Sequence, residues 1–332
     1  MLRFVALCAA LSSISSLYSQ QTGISGPVEG FTFDSPTRTI RAVTGSLGSA
    51  SLSAPIVSLL DFASVAPGQN YGIAVRDERT LLVSALGSAQ PSVTALPGIS
   101  FTPDAAAWSG DGTAAILYSR KTGWVQMFTG FPESVSGASP VSIAVLGGTL
   151  AIAAVDIHGH TLAIGIAGAN AGVYGLKADS NSFYPLLQAS KPVSLAFSGD
   201  GSALYTLDAS NGQISEIVLS NLASQTIPLN LPDAIAIWPS ASSTNGNILY
   251  VAGTSGPSLV VYDCANQQTI ANQSLSFKPT TIEPLSAGAY ILRSRSSDDD
   301  PLWSFTDRGR TAIYFVPAPM DLLELRRKGS PR

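Results

Sequence analysis

The stretch FSGDGSALYTLDASNGQISEI, residues 197–217, decides how the whole chain is read. Two short apolar runs, residues 195–198 and 203–207, flank Gly199-Asp200-Gly201. An Asp-Gly pair between apolar runs marks a tight β-hairpin, because the turn needs a positive φ that glycine adopts without steric cost. Asn211-Gly212 then makes a second turn, residues 213–219 read as a third strand, and IPLNL (227–231) supplies a fourth. The unit is an antiparallel meander of four strands, and alone it would leave both faces wet.

Weaker copies of this pattern run along the chain. Ala66-Pro67-Gly68-Gln69-Asn70 precedes YGIAV, and Ser109-Gly110-Asp111-Gly112 precedes TAAILY. Asp156-Ile157-His158-Gly159-His160 precedes TLAIGI, Thr244-Asn245-Gly246 precedes NILYVAG, and Ala287-Gly288 precedes AYILRS. With Asn70, Gly112, Gly159, Gly201, Gly246 and Gly288 as anchors, the spacings are 42, 47, 42, 45 and 42 residues. The register near Gly147-Gly148 is ambiguous, and Gly159 restores the period. GFTFDSPTRTIRAVTG (30–45) adds a shorter copy at the start.

Four strands per unit with a period of about 40 to 45 residues is the pattern of a β-propeller. The sequence therefore predicts an all-β fold, a single propeller of seven four-stranded blades, with six or eight as the alternatives. Composition agrees. Only 12% of the 332 residues are charged and 45% are hydrophobic, against about 25% charged in an average soluble domain. Blades that stack on both faces need few ions, and closure into a ring hides strand edges. Positions near the axis must be small, and IAVLGGTLAIAA (143–154), SLAFS (194–198) and AIAIW (234–238) read as inner strands. Trp108, Phe197 and Trp238 precede comparable turns, where packing between blades is expected rather than ligand stacking.

KPVSLAFSGDGSALYTLDASNGQISEI (191–217) and LYVAGTSGPSLVVYDC (249–264) resemble the YVTN-type seven-bladed repeats of secreted bacterial proteins, a WD40-like group similar to lactonase-like and quinoprotein-like propellers. The stretch 110–118 matches in part, and the remaining units match by period alone. The repeat motif specifies a fold, not an active site, so the resemblance transfers no catalytic residue.

The termini read differently. Arg3 followed by FVALCAALSSISSL (4–17) and Leu17-Tyr18-Ser19 has the form of an export signal over residues 1–19. Its apolar run is short of the roughly 20 residues that span hydrocarbon, and no later segment is long enough, so the mature chain is expected to lack a membrane span. Cys264 then remains as a lone thiol. The propeller would occupy residues 20–320, and a short basic tail, 321–332, would follow Pro317-Ala318-Pro319. The location expected is secreted, periplasmic or cell envelope.

Few residues point to chemistry. The chain's two histidines lie in Asp156-x-His158-x-His160, where i and i+2 side chains of a strand share a face and can converge on a transition metal. A polar hairpin tip is the plainer reading, so no cofactor is expected beyond that possible ion. Charge gathers in the turns between second and third strands: Arg76, Asp77, Glu78, Arg79, Arg120, Lys121, Asp208, and then Arg293, Arg295, Asp298, Asp299 and Asp300. In a propeller these turns emerge on one face around the channel mouth, where loops on a rigid scaffold tend to bind. Solvation alone also explains them. Asp298-Asp299-Asp300 could offer oxygen ligands to calcium, although consecutive carboxylates point apart. There is no G-x-S-x-G elbow and no phosphate-binding G-x-x-x-x-G-K-[ST] loop. A net charge of −4 gives no footprint for nucleic acid. These features favour an exported, non-enzymatic, monomeric propeller that binds a protein, peptide or glycan through loops at the channel mouth. A lactonase-like metal-assisted hydrolase and a structural cell-envelope repeat protein are the alternatives.

Overall fold

Every residue of the strand Ala114–Ser119 (AAILYS) is buried, which a sheet with one wet face cannot achieve. Successive side chains of a strand point to opposite faces, and here both faces are covered. Ala114, Ile116 and Tyr118 pack with Leu150, Leu162 and Ile164 of the following sheet. Ala115 and Leu117 pack with Tyr71 and Ile73 of the preceding one. The same division recurs around the molecule. Each of the seven apolar clusters joins two sequence-adjacent sheets, and one of them joins the last sheet to the first. The core is therefore seven radial seams rather than one centre.

The computed structural model describes residues 26–177, 182–240, 248–294, 302–307 and 311–317. Their strands form seven sheets in a closed β-propeller. Blade 1 comprises Val28–Asp34, Thr39–Thr44 and Ser51–Leu52. Blades 2 to 7 begin at the inner strands Phe62–Val65, Ala105–Trp108, Gly148–Val155, Pro192–Phe197, Ala234–Pro239 and Pro279–Ser286, each followed outward by the next strands in sequence. Neighbouring inner strands touch around the whole ring, including Val28–Asp34 against Pro279–Ser286. The export signal over 1–19 and the tail over 321–332 lie outside the described residues, as does the anchor Gly246.

The hairpin chemistry that the sequence announced is present. Gly112, Gly159, Gly201 and Gly288 have φ values of +77°, +65°, +71° and +71°. In the two SGDG turns Gly112 N donates to Ser109 O at 2.9 Å, and Gly201 N to Ser198 O at 2.9 Å. The turn of blade 2 is one residue out of the expected register. Gln69, not Asn70, is the equivalent residue, since Gln69 N donates to Ala66 O at 3.2 Å. These turns define the upper face, where the inner strands of blades 2 to 7 end.

Blade 1 departs from the expected copy in two ways: among the described residues it has three strands, and it is threaded upside down. A Cβ on Gly30, early in its inner strand, would lie 2.6 Å from Leu285 O near the upper end of blade 7. The hairpin after Asp34 lies at the opposite end. There Leu60 N donates to Arg38 O at 3.0 Å, and Arg38 pairs with Asp61, just before the inner strand of blade 2. The first inner strand thus descends where six others rise.

Three smaller differences have local causes. IAVL (143–146) is a 3-10 helix, not strand, because Gly147 at φ +66° ends it and the inner strand begins at Gly148. The fourth strand of blade 5 is Ala223–Ile227, so the prolines in IPLNLP (227–232) belong to the crossing to blade 6. Blade 3 carries an extra pairing, Val141–Ser142, on its third strand.

Candidate functional site

The second-to-third-strand turns emerge together on the lower face, and carboxylates hold them there. Asp104, next to the inner strand of blade 3, accepts from Arg120 N at 3.2 Å and from Lys121 N at 3.3 Å. Asp61 does the same for Asp77 N at 2.8 Å in blade 2, and Asp233 accepts from Ser255 N in blade 6. In blade 5 the direction reverses. Asp208 closes the second strand and accepts from Ser190 N at 2.6 Å, Lys191 N at 3.0 Å and Ser210 N at 2.9 Å. A charged acceptor roughly doubles the strength of a neutral hydrogen bond, so each turn is clamped to the entry of its own blade.

The clamps also set ionisation. Burial raises the pKa of Asp208, but the Ser210 hydroxyl and the N–H groups of Ser210, Ser190 and Lys191 outweigh it and hold the carboxyl below its ordinary range. Asp233 is likewise low, because the N–H groups of Ser255 and Thr254 overcome its burial. Of the clamping residues, sequence reading singled out only Asp208. Asp61, Asp104 and Asp233 were missed, although each stands immediately or shortly before an inner strand, which is the signal that would have found them.

Arg76, Asp77, Glu78, Arg79, Arg120, Lys121, Asp208 and Arg293 all lie at this lower end, while Arg295, Asp298, Asp299 and Asp300 fall outside the described residues. The eight differ in surroundings. Arg76 Nη2 donates to Ser58 O at 2.6 Å. Arg293 is turned inward to Glu283, Phe33 and Thr32, joining blade 7 to blade 1. Asp77, Glu78, Arg79, Arg120 and Lys121 are exposed. The Arg120 guanidinium sits 5.7 Å from the centre of the Tyr118 ring. Burial pushes the Tyr118 phenol upward, partly offset by that cation. Trp124 (38% exposed) opens the third strand of the same blade, and Val145 (80% exposed) lies on the crossing that follows it.

The inner strands enclose a channel of ≈ 1450 Å³. Its wall includes Ala106, Ala107 and Ala154, with Asp104, Arg120 and Arg293 toward the lower mouth. Trp108 serves the packing role expected of it. Its Nε1 donates to Ser64 Oγ at 3.0 Å, and its ring meets Phe131 edge-on with centres 4.9 Å apart. Trp238 is offset by one residue, since Ser240 N bonds Ile248 O as Ser198 N bonds Ala203 O, which puts Pro239 at the Phe197 position.

On the upper face the turns are knotted by their own side chains. Ser198 Oγ donates to Asp200 Oδ1 at 2.6 Å, and Ser202 N to the same oxygen at 3.0 Å. These bonds, that from Ser198 foremost, hold the Asp200 carboxyl low. Asp156 occupies the place of Ser198 in its own turn: Gly159 N donates to Asp156 O, and His160 N to Asp156 Oδ1 at 2.8 Å. His158 and His160 are exposed, with ring centres 5.9 Å apart. Among the described residues no group of three or more His, Cys, Asp and Glu is arranged to hold a metal ion. Nor is any described helix long and apolar enough to cross a membrane.

No protein-family model matches the chain, and no curated protein does. Solved structures do resemble it. The β-propeller domain of Myceliophteria thermophila Cps50 (Swd1) is 10% identical with a TM-score of 0.54, over 79% of this chain and 87% of that one. A functionally unknown protein from Desulfotomaculum acetoxidans is 13% identical with a TM-score of 0.58, over 87% of this chain and 99% of that one. At these identities the likeness is one of fold, and the fold is the seven-bladed β-propeller.

Proposed function

We propose that the chain is an exported, non-enzymatic scaffold that binds a protein, peptide or glycan through the lower mouth of its channel. Within this reading it is a relative of the YVTN-type secreted propellers. The observation that carries the binding role is the pinned rim. Asp61, Asp104, Asp208 and Asp233 fix the lower turns to the blades beneath them, while Arg79, Arg120 and Lys121 remain exposed. A rim ordered in advance loses little conformational freedom on binding, which is how preorganisation raises affinity.

The test uses an immobilised peptide library and a glycan array, probed with the purified protein and two variants. Arg79→Glu and Arg120→Glu should each reduce capture while moving thermal unfolding little, since exposed substitutions change stability by under about 0.5 kcal/mol. His158→Ala, on the upper face, should bind like the parent. Loss of capture with His158→Ala, and not with the rim variants, would reverse the assignment of faces.

A further inference from the structure

Five of the seven inner strands bring a large apolar side chain to the lower half of the channel. Phe33 pairs with Ile40 and Phe62 with Val75, each beside the lower end of its strand. Val193 and Ile235 stand opposite no residue, because pairing steps from Pro192 to Ser194 and from Ala234 to Ala236. Ile152 follows a bulge of the same kind, after Leu150. All five line the channel and are half-buried. Bulges bend a strand, re-aim its side chains and gather beside functional sites. Neighbouring inner strands touch, so the five form a belt, interrupted at Ala106 of blade 3 and Thr281 of blade 7.

Apolar side chains in water ordinarily close over one another, and these are prevented from doing so. Packing along the seams on both faces of the blades holds the inner strands apart, so the apolar belt stays open. Filling it returns its water to bulk, which is the favourable step of apolar binding. Each inner strand also has a neighbour on one side only, and its free edge turns backbone N–H and C=O groups to whatever lies inside. Charge at the wall is largely committed. Arg293 pairs with Glu283 at 2.9 Å, while Asp104 and Asp111 accept from the Arg120 and Thr113 amides at 3.2 and 3.0 Å. An ion entering the channel would exchange its water for groups already engaged, which is unfavourable.

We infer that the channel binds a neutral, largely apolar small molecule, gripped at the belt of Phe33, Phe62, Ile152, Val193 and Ile235. A small molecule is the fitting occupant because the space, ≈ 1450 Å³, is walled all round by inner strands, and a pocket of that kind covers most of a small ligand's surface. The site lies within the ring and does not depend on the rim reading.

The probe is Nile red, a neutral apolar dye, added to the whole purified protein, with anilinonaphthalene sulfonate as the anionic comparison. Nile red should bind saturably and more tightly than the anionic dye. Phe62→Ala and Ile235→Ala should each weaken it about tenfold or more, whereas Arg79→Glu, on the exposed rim, should leave it unchanged. In the parent protein alone, bound dye should slow hydrogen exchange in Phe62–Val65 and Ala234–Pro239 and not in the outermost strand Gln268–Ser274, so the result does not hang on how the variants fold. Equal affinity for the anionic dye rejects the neutral class. Binding untouched by both channel variants, slowed exchange confined to outer strands, or no saturable binding overturns the site. Loss with Arg79→Glu alone moves the dye to the rim and overturns it too.

Discussion

Replacing Arg293 with Met should open the ring at one joint. The Arg293 guanidinium donates to Phe33 O at 3.0 Å and to Thr32 Oγ1 at 2.9 Å in blade 1, and through Nε and Nη2 to Glu283 Oε2 at 3.0 and 2.9 Å in its own blade. The Glu283 side chain is 44% exposed, so that ion pair is worth about 0–1 kcal/mol after solvent screening. The two bonds to blade 1 matter more. Thr32 is only 3% exposed, and leaving buried acceptors without a donor costs about 1–3 kcal/mol each. Methionine keeps much of the aliphatic stem, which limits the packing loss. The sum is about 2–7 kcal/mol, or roughly 3–11 °C in melting temperature for a chain of this size. Hydrogen exchange should locate the effect. Protection should fall in Val28–Asp34 and Ala289–Ser294 before it falls in Pro192–Phe197, on the far side of the ring. A melting shift under about 1 °C, or uniform loss of protection in all blades, would refute the idea that this side chain bolts the ring shut.

Gly212→Ala should destabilise by more than about 2 kcal/mol, because φ is +70° and the new Cβ would lie 2.5 Å from Leu231 O. Gly199→Ala, with nothing within 4 Å of its Cβ, should melt within about 0.5 kcal/mol of the parent. Asp200, Asp208 and Asp233 have lowered pKa values in the folded state. Their stabilisation is therefore complete above the unfolded carboxylate value of about 3.9 and drains away as pH falls through the lower folded values. Asn substitution at Asp200 and Asp208 should flatten the acid limb of a denaturation curve measured from pH 6 to pH 2; an unchanged limb would show that other groups govern it. Burial, with Glu216 and Asp263 adding to it, pushes the Cys264 thiol up to about 12. At pH 8 it should react with a disulfide reagent about a thousandfold more slowly in the native protein than in guanidinium, and equal rates would contradict its seclusion.

Turns were the legible part of this sequence. A positive-φ glycine behind an acidic or hydroxyl residue is a local requirement, so Gly112, Gly159 and Gly201 could be placed from their neighbours alone, and the period between them gave the ring. Orientation was not local. The hairpin around residues 34–38 looks the same in sequence whichever way up it sits, and its sense is fixed by distant contacts, Gly30 against Leu285 above and Arg38 with Leu60 and Asp61 below. The stretch 143–146 was misread because four apolar residues suit a strand or a single helical turn, and the choice falls to Gly147 and to Asn170 in the next blade. The carboxylate clamps escaped notice for a related reason. Asp104 and the amides it holds are 16 and 17 residues apart, so their partnership exists only once the blade has formed. The lower-face charges were legible as a group, but not which of them the ring retains for itself, as it does Arg293.

A pinwheel of seven interchangeable wedges would offer an incoming molecule seven equal orientations. With one vane mounted the other way up, the rotor has a single home position. Any guest that senses the bore must come to rest at one angle, and sites on different vanes cannot stand in for one another.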